Sequence, residues 1–399
     1  MNEKQPHLRQ LPPSAVPVTT ADLRAGWGAT ATTHDDFRAD LAAYFGLPHN
    51  ACYLAASGRT ALYILLKGLA VDFPARRQVV IPAYTCPVVA KVALDLDLEP
   101  VYVDIEPRST AYKNEQLAAV VGDRTLAILL VHPFGIPLAP DHVLSTARAV
   151  GAVVIEDAAQ ALGARWTTGS VGLAGDFAIF SLGPGKPLST GGGGIAITGS
   201  GDHLEQLTRY WSSLSPAAGG SAVLPLLRQI AFRLAFHPRS WWAATRMGLQ
   251  KLGNEEATWG YTLHDLSNAQ AGVGHAVLPR LNAINEQRRA VASRLIAAVQ
   301  NTATLQTLEI DPAATPIYLR LPLLVRDFDQ RELLFARLWS AGIGVGRMYE
   351  KTLPAIFAPE SQHAYPGAES FARRLLTLPT HYHVTDADLS RMERILSTC

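Results

Sequence analysis

VIEDAAQALGA (residues 154–164) and GDFAIFSLGPGKPLSTGGGG (175–194) carry the reading of this chain. The first reads as a buried strand that ends on a carboxylate, Asp157. The second holds a lone lysine, Lys186, in a loop rich in Gly, Ser and Thr. A buried carboxylate is costly unless something pairs with it. A lysine with few charges around it is partly desolvated and becomes nucleophilic. Pyridoxal phosphate (PLP) chemistry requires this pair: an amine to form the Schiff base and an acid to keep the pyridine nitrogen protonated. The plain alternatives are a solvated surface lysine and, for Asp157, the N-cap of a helix beginning at DAAQAL. Glu156 points to the other side of its strand and reads as structural. Gln160, one turn beyond Asp157, is placed to hydrogen-bond a ring hydroxyl.

Upstream of this region, apolar strands alternate with amphipathic helices. Strands are expected at 51–56, 78–81, 100–104, 126–131 and 152–156, and helices at 36–45, 60–69, 88–94, 114–121 and 141–150. This alternation predicts an α/β fold with a mostly parallel sheet covered on both faces. Ligands of such sheets sit beyond the C-terminal strand ends, where Ser57, Gly58, Tyr84, His132 and Asp157 fall. Ser57-Gly58-Arg59-Thr60 opens a helix, whose free N–H groups suit a phosphate. Ser181 is a second phosphate donor, and Arg59 either adds charge to that cradle or points to solvent. His132 reads either as a satisfied core histidine or as a site residue. The run Gly191–Gly194 is either a flexible turn or a place of close approach.

Three parts are expected: an extended arm over 1–34, a large domain over 35–259, and a long helix with a smaller C-terminal α/β domain over 260–399. The helical pattern of the third part runs through 266–300. A strand over 317–325, a helix over 329–341 and a last helix over 386–396 follow. The length of 399 residues suits two cores, and 48% hydrophobic content suits a globular chain. The net charge of +1 selects no nucleic acid. Three scattered cysteines, Cys52, Cys86 and Cys399, suggest neither a disulfide framework nor zinc. No metal is expected, and the polar N-terminus with no apolar run of membrane length predicts a cytoplasmic protein.

The segment 206–254 is different. It holds Arg209, Arg228, Arg233, Arg239, Arg246 and Lys251 with no acidic residue, together with LPLLRQIAFRLAF and Trp241-Trp242. Two readings stand. Residues of about 223–250 rest on an anionic membrane surface or a lipid-linked substrate, or the segment packs as a helical insertion on the small domain. Phe232 and Phe236 oppose Leu227 and Leu234, so the apolar positions form no single stripe.

Taken in order, SGRTAL (57–62), VVIPAYTCP (79–87), EPVYVDIEP (99–107), VHPFG (131–135), the two stretches quoted first, QAGVG (270–274) and LLTLPTHYHVTDADL (375–389) resemble the DegT/DnrJ/EryC1/StrS aminotransferases. These are PLP enzymes of fold type I, similar to aspartate aminotransferase, with a seven-stranded sheet domain and a smaller C-terminal domain. The resemblance implies transfer of an amino group from an amino acid such as glutamate to a keto or aldehyde group. The expected acceptor is a nucleotide-linked keto sugar in polysaccharide or secondary-metabolite assembly. By the same resemblance Lys186 matches the Schiff-base lysine, Asp157 the pyridine partner and Gln160 a neighbour of the ring hydroxyl. Ser57, Gly58 and Ser181 match phosphate contacts, and a homodimer with shared active sites is implied.

The chain departs from the family pattern at three points. Cys86 stands where an aromatic often stacks on the ring in the family, so either Tyr84 or another ring serves or the stacking is weak. Gly192 replaces an acidic residue. GYTLHDLSNAQAG (260–272) has one extra residue and lacks the clear Asn and Arg of the family's cross-subunit contact. Lys186 itself speaks against relatives that place histidine there and dehydrate sugars. A PLP enzyme of another reaction type or with a non-sugar acceptor, and a non-catalytic regulatory protein of the same fold, are the alternatives.

Overall fold

In the computed structural model the described residues are 8–217, 223–248, 262–300 and 302–399. The expected domain boundary at 259/260, Lys251, and Gly260 and Tyr261 of the GYTLHDLSNAQAG segment lie outside them. A seven-stranded sheet runs in the order Cys52–Ala55, Gly194–Ile197, Phe177–Ser181, Val153–Asp157, Thr125–Val131, Gln78–Pro82, Glu99–Val103. Strand Gly194–Ile197 is antiparallel to both its neighbours, and the remaining pairings in the sheet are parallel. Side chains alternate across it. Val79, Ile81, Leu129 and Ile155 pack under helices Gly58–Asp72 and Pro87–Asp95. Val80, Ile128, Leu130 and Val154 pack under Asn114–Val120 and Asp141–Val150. A strand with apolar residues on both faces has to be covered twice, which is the signature read in the sequence.

A second sheet of three antiparallel strands, Leu305–Thr307, Arg320–Val325 and Leu375–Pro379, has its own core. Helices Leu281–Val299, Phe328–Ser340 and Asp386–Leu396 cover it. The single helical pattern expected over 266–300 is in fact two helices, Asn268–Val277 and Leu281–Val299, joined by a 3₁₀ turn over Leu278–Arg280. Pro279 lacks the N–H that a continuous helix needs.

The N-terminal arm also differs from the expectation. Thr20–Trp27 is a helix, closed by a capping box between Thr19 and Asp22. The residues before it form a buried strap rather than a free arm. Leu11 N–H donates to Gly342 O at 2.8 Å, and Gln10 N–H to Pro238 O at 3.1 Å. His381 Nε2 donates to Pro12 O at 2.9 Å, and the Tyr382 hydroxyl to Val16 O at 2.9 Å. The strap thereby ties the C-terminal region to the insertion.

The insertion forms helices Val223–Ala235 and Pro238–Arg246. Leu226 is buried in the main core against helix Asn268–Val277, with Phe232 and Phe236 packed beside it. The opposed apolar positions noted in the sequence are therefore two faces of one helix, and only one of them is covered.

Candidate active site

Asp157 is the last residue of its strand and is 6% exposed. No helix begins after it, so it is not an N-cap. Its Oδ1 accepts the Ala159 N–H at 3.1 Å, closing a local turn. Burial pushes its carboxyl above the ordinary carboxylate range, while the Ala159 N–H and the positive charge of Lys186 pull it back. Lys186 therefore lies near enough to be felt by Asp157. It sits half-buried in the loop after strand Phe177–Ser181.

Glu156, one residue earlier, is fully buried on the opposite face and fully served. It accepts from His132 Nε2 at 2.9 Å, Gly172 N at 2.9 Å, and Ala174 and Gly175 N at 2.8 Å. Burial would raise its pKa, but the His132 contact and these N–H groups outweigh it and hold the carboxyl below its ordinary value. His132 is satisfied at both ring nitrogens, since Nδ1 accepts Leu138 N–H at 3.0 Å. It is a core histidine that clamps Glu156.

The two hydroxyls and Gly58 come together. Ser57 caps helix Gly58–Asp72 by accepting Thr60 N–H at 3.1 Å. A Cβ placed on Gly58 would lie 3.3 Å from the Ser181 Cβ, so the helix start and strand Phe177–Ser181 touch there. Ser181 Oγ accepts Gly183 N–H at 3.3 Å. Arg59 follows in the first helical turn, half-buried. Gly193 bridges Ser57 with φ of 120°, a conformation suited to glycine. A Cβ on Gly194 would lie 2.3 Å from Ser57 O. The glycine run is thus a place of close backbone approach.

Gln160 Oε1 accepts Phe134 N–H at 3.0 Å, and its Nε2 lies 3.5 Å from the Tyr349 hydroxyl. Tyr84 is 3% exposed, donates its hydroxyl to Met348 O and packs against Phe371 at 4.8 Å between ring centroids. Its ring belongs to a core cluster with Phe134 and Phe371. Cys86, half-buried, is the N-cap residue of helix Pro87–Asp95.

Three contacts escaped the sequence reading. Ser14 of the strap donates to Gly185 O at 3.3 Å, next to Lys186. Gln229 of the insertion donates to Ser189 O at 2.9 Å. Tyr349 reaches Gln160 from the C-terminal region with φ of 50°, rare for a residue with a Cβ. A serine in a proline-bearing arm and a glutamine among leucines carry no sequence signal of their partners.

The arrangement fits PLP. A buried carboxylate with one backbone donor and a lysine nearby suits a cationic ring nitrogen. A helix start at Ser57 and Gly58 with the Ser181 hydroxyl beside it suits a phosphate.

The family profile described as the DegT/DnrJ/EryC1/StrS aminotransferase family matches residues 15–397. A curated relative, the UDP-N-acetyl-3-dehydro-alpha-D-glucosamine 3-aminotransferase of Acidithiobacillus ferrooxidans, is 26% identical over 370 residues. The match spans 90% of this chain and 86% of the relative. Among solved structures, a sugar aminotransferase from Micromonospora echinospora superposes with a TM-score of 0.78 at 21% identity, covering 97% of this chain and 99% of its own. A Streptococcus pneumoniae protein solved in a PLP form has a TM-score of 0.75 at 20% identity, with 98% of each chain covered. These structural likenesses establish the shared fold.

Proposed function

This chain belongs to the DegT/DnrJ/EryC1/StrS aminotransferase family, and from that premise we propose a PLP-dependent transfer of an amino group from glutamate to a nucleotide-linked keto sugar. The observation that carries the proposal is buried Asp157 with a single backbone donor, on a strand paired with Phe177–Ser181, the strand that leads into the Lys186 loop. The relative that acts on a UDP-linked keto amino sugar supports the acceptor class.

PLP, when bound, supplies an aldehyde that takes up the donor's amino group and a ring that accepts negative charge. Lys186 would hold it through Nζ. The same amine would also accept and return the proton of the donor Cα. Asp157 would hold the ring nitrogen's proton through its carboxylate. Ser57, Gly58 and Ser181 would hold the phosphate with the N–H groups of the helix start, and Arg59 would add charge. Gln160 would meet the ring hydroxyl, and Tyr84 and Cys86, in the segment between strand Gln78–Pro82 and helix Pro87–Asp95, would wall the site. A homodimer, with the large domain over 35–259 and the small domain over 260–399, would frame the site.

Incubating the PLP-loaded chain with glutamate and no acceptor tests this. One equivalent of 2-oxoglutarate per chain is expected, followed by an amino sugar once a UDP-linked keto sugar is added. Failure to release a keto acid from any amino donor would refute the reading.

A further inference from the structure

Helix Val223–Ala235 is held from one side. Leu226 Cδ2 lies 2.8 Å from where a Gly26 Cβ would stand, and Gln229, fully buried, reaches the Ser189 carbonyl. The other side is open. Val223, Leu224, Leu227, Ile230 and Leu234 are 48%, 69%, 54%, 38% and 59% exposed. At 3.6 residues per turn these five positions share one sector of the helix. Met247, just past the second insertion helix, is 65% exposed, and Trp27, beside the Gly26 contact, is 69% exposed.

The insertion itself carries charge of one sign. No acidic residue occurs between Gln206 and Asn254. Arg228, at the edge of the stripe with its guanidinium 5.4 Å from the Phe232 ring, and Arg239 are exposed. Neither pairs with a carboxylate among the described residues. We propose that this face docks the protein on an anionic bilayer surface. The stripe would lie in the interface with arginines at the headgroups. Thirteen residues rise about 20 Å, too short to cross the roughly 30 Å hydrocarbon layer, and no described helix is long and apolar enough to do so. A two-fold dimer built across this face would set the same arginines against their own copies. Lipid phosphates and carboxylates supply the complement that a second copy lacks.

The test is sedimentation of the full chain with vesicles of phosphatidylcholine alone and with about 30% phosphatidylserine. Binding to the anionic vesicles, weakened by salt and absent from the neutral ones, is expected. Leu224→Glu/Leu227→Glu/Leu234→Glu should lower it at least tenfold. Arg228→Glu/Arg239→Glu should lower it by about fivefold or more per arginine. Three results would overturn the proposal: no binding to anionic vesicles, triple-variant binding equal to wild type, or conversion of a dimer to monomers by the triple variant in light scattering. The last would assign the face to a second copy. The two vesicle outcomes leave the proposed amino transfer untouched, because the substituted residues lie outside the candidate active site, and release of 2-oxoglutarate from glutamate reads that reaction separately.

Discussion

Glu156 and Asp157 are adjacent acids at the end of one strand, both buried, yet their surroundings are opposite. Glu156 has a histidine and three backbone N–H groups, and its charge is held in place. Asp157 has one backbone N–H, and burial works against its charge. An acid that has its partners within the chain stabilises the fold. An acid left short of partners is available to a ligand that brings positive charge. The period of a strand separates the two roles by sending neighbours to opposite faces.

The largest test of this contrast lies on the ligand side. Lys186→Ala should lower amino transfer by about a thousandfold or more, and Asp157→Asn by a similar order, with both variants still folded. Steady-state rates and circular dichroism check both halves. Glu156→Gln should do the reverse. It removes a buried carboxylate held by a histidine N–H and three backbone N–H groups, and should cost about 3 kcal/mol of stability in urea unfolding. If the two variants exchanged their effects, the contrast would fail.

pH sharpens the comparison in the cofactor-free chain. Glu156 has a depressed folded pKa, so its stabilisation is full above about pH 4.3 and is lost as pH falls through its folded value. Asp157 has a raised folded pKa, so the chain loses stability as pH rises from about 3.9 through that value. Asp157→Asn should therefore stabilise the cofactor-free chain at neutral pH and weaken PLP retention. A thermal-melting series from pH 3 to 8 with and without PLP reads both effects. Smaller again is the phosphate cradle. Ser181→Ala should weaken PLP binding by about tenfold, the worth of one hydrogen bond to a charged group, with unchanged melting of the cofactor-free chain.

The central sheet was legible in the sequence because its strands are apolar on both faces and its helices carry one apolar stripe. The candidates Asp157, Lys186, Ser57 and Ser181 could be singled out in the sequence because strand ends and a helix start gather at one edge of such a sheet. The strap was not. Its contacts are backbone groups of Leu11, Pro12 and Val16, which any sequence supplies. Nor was the break at Pro279, because apolar periodicity continues through it. The insertion showed its composition but not its orientation. Leu226 in the main core and Gln229 on the Ser189 carbonyl face the same side, and the second is a polar contact that hydrophobic patterning does not encode.

The most direct measurement is mass spectrometry of the PLP-loaded chain after borohydride reduction and digestion. The account predicts the reduced cofactor on the peptide that contains Lys186, and its loss in Lys186→Ala. An adduct on another lysine, or one that persists in Lys186→Ala, would contradict it.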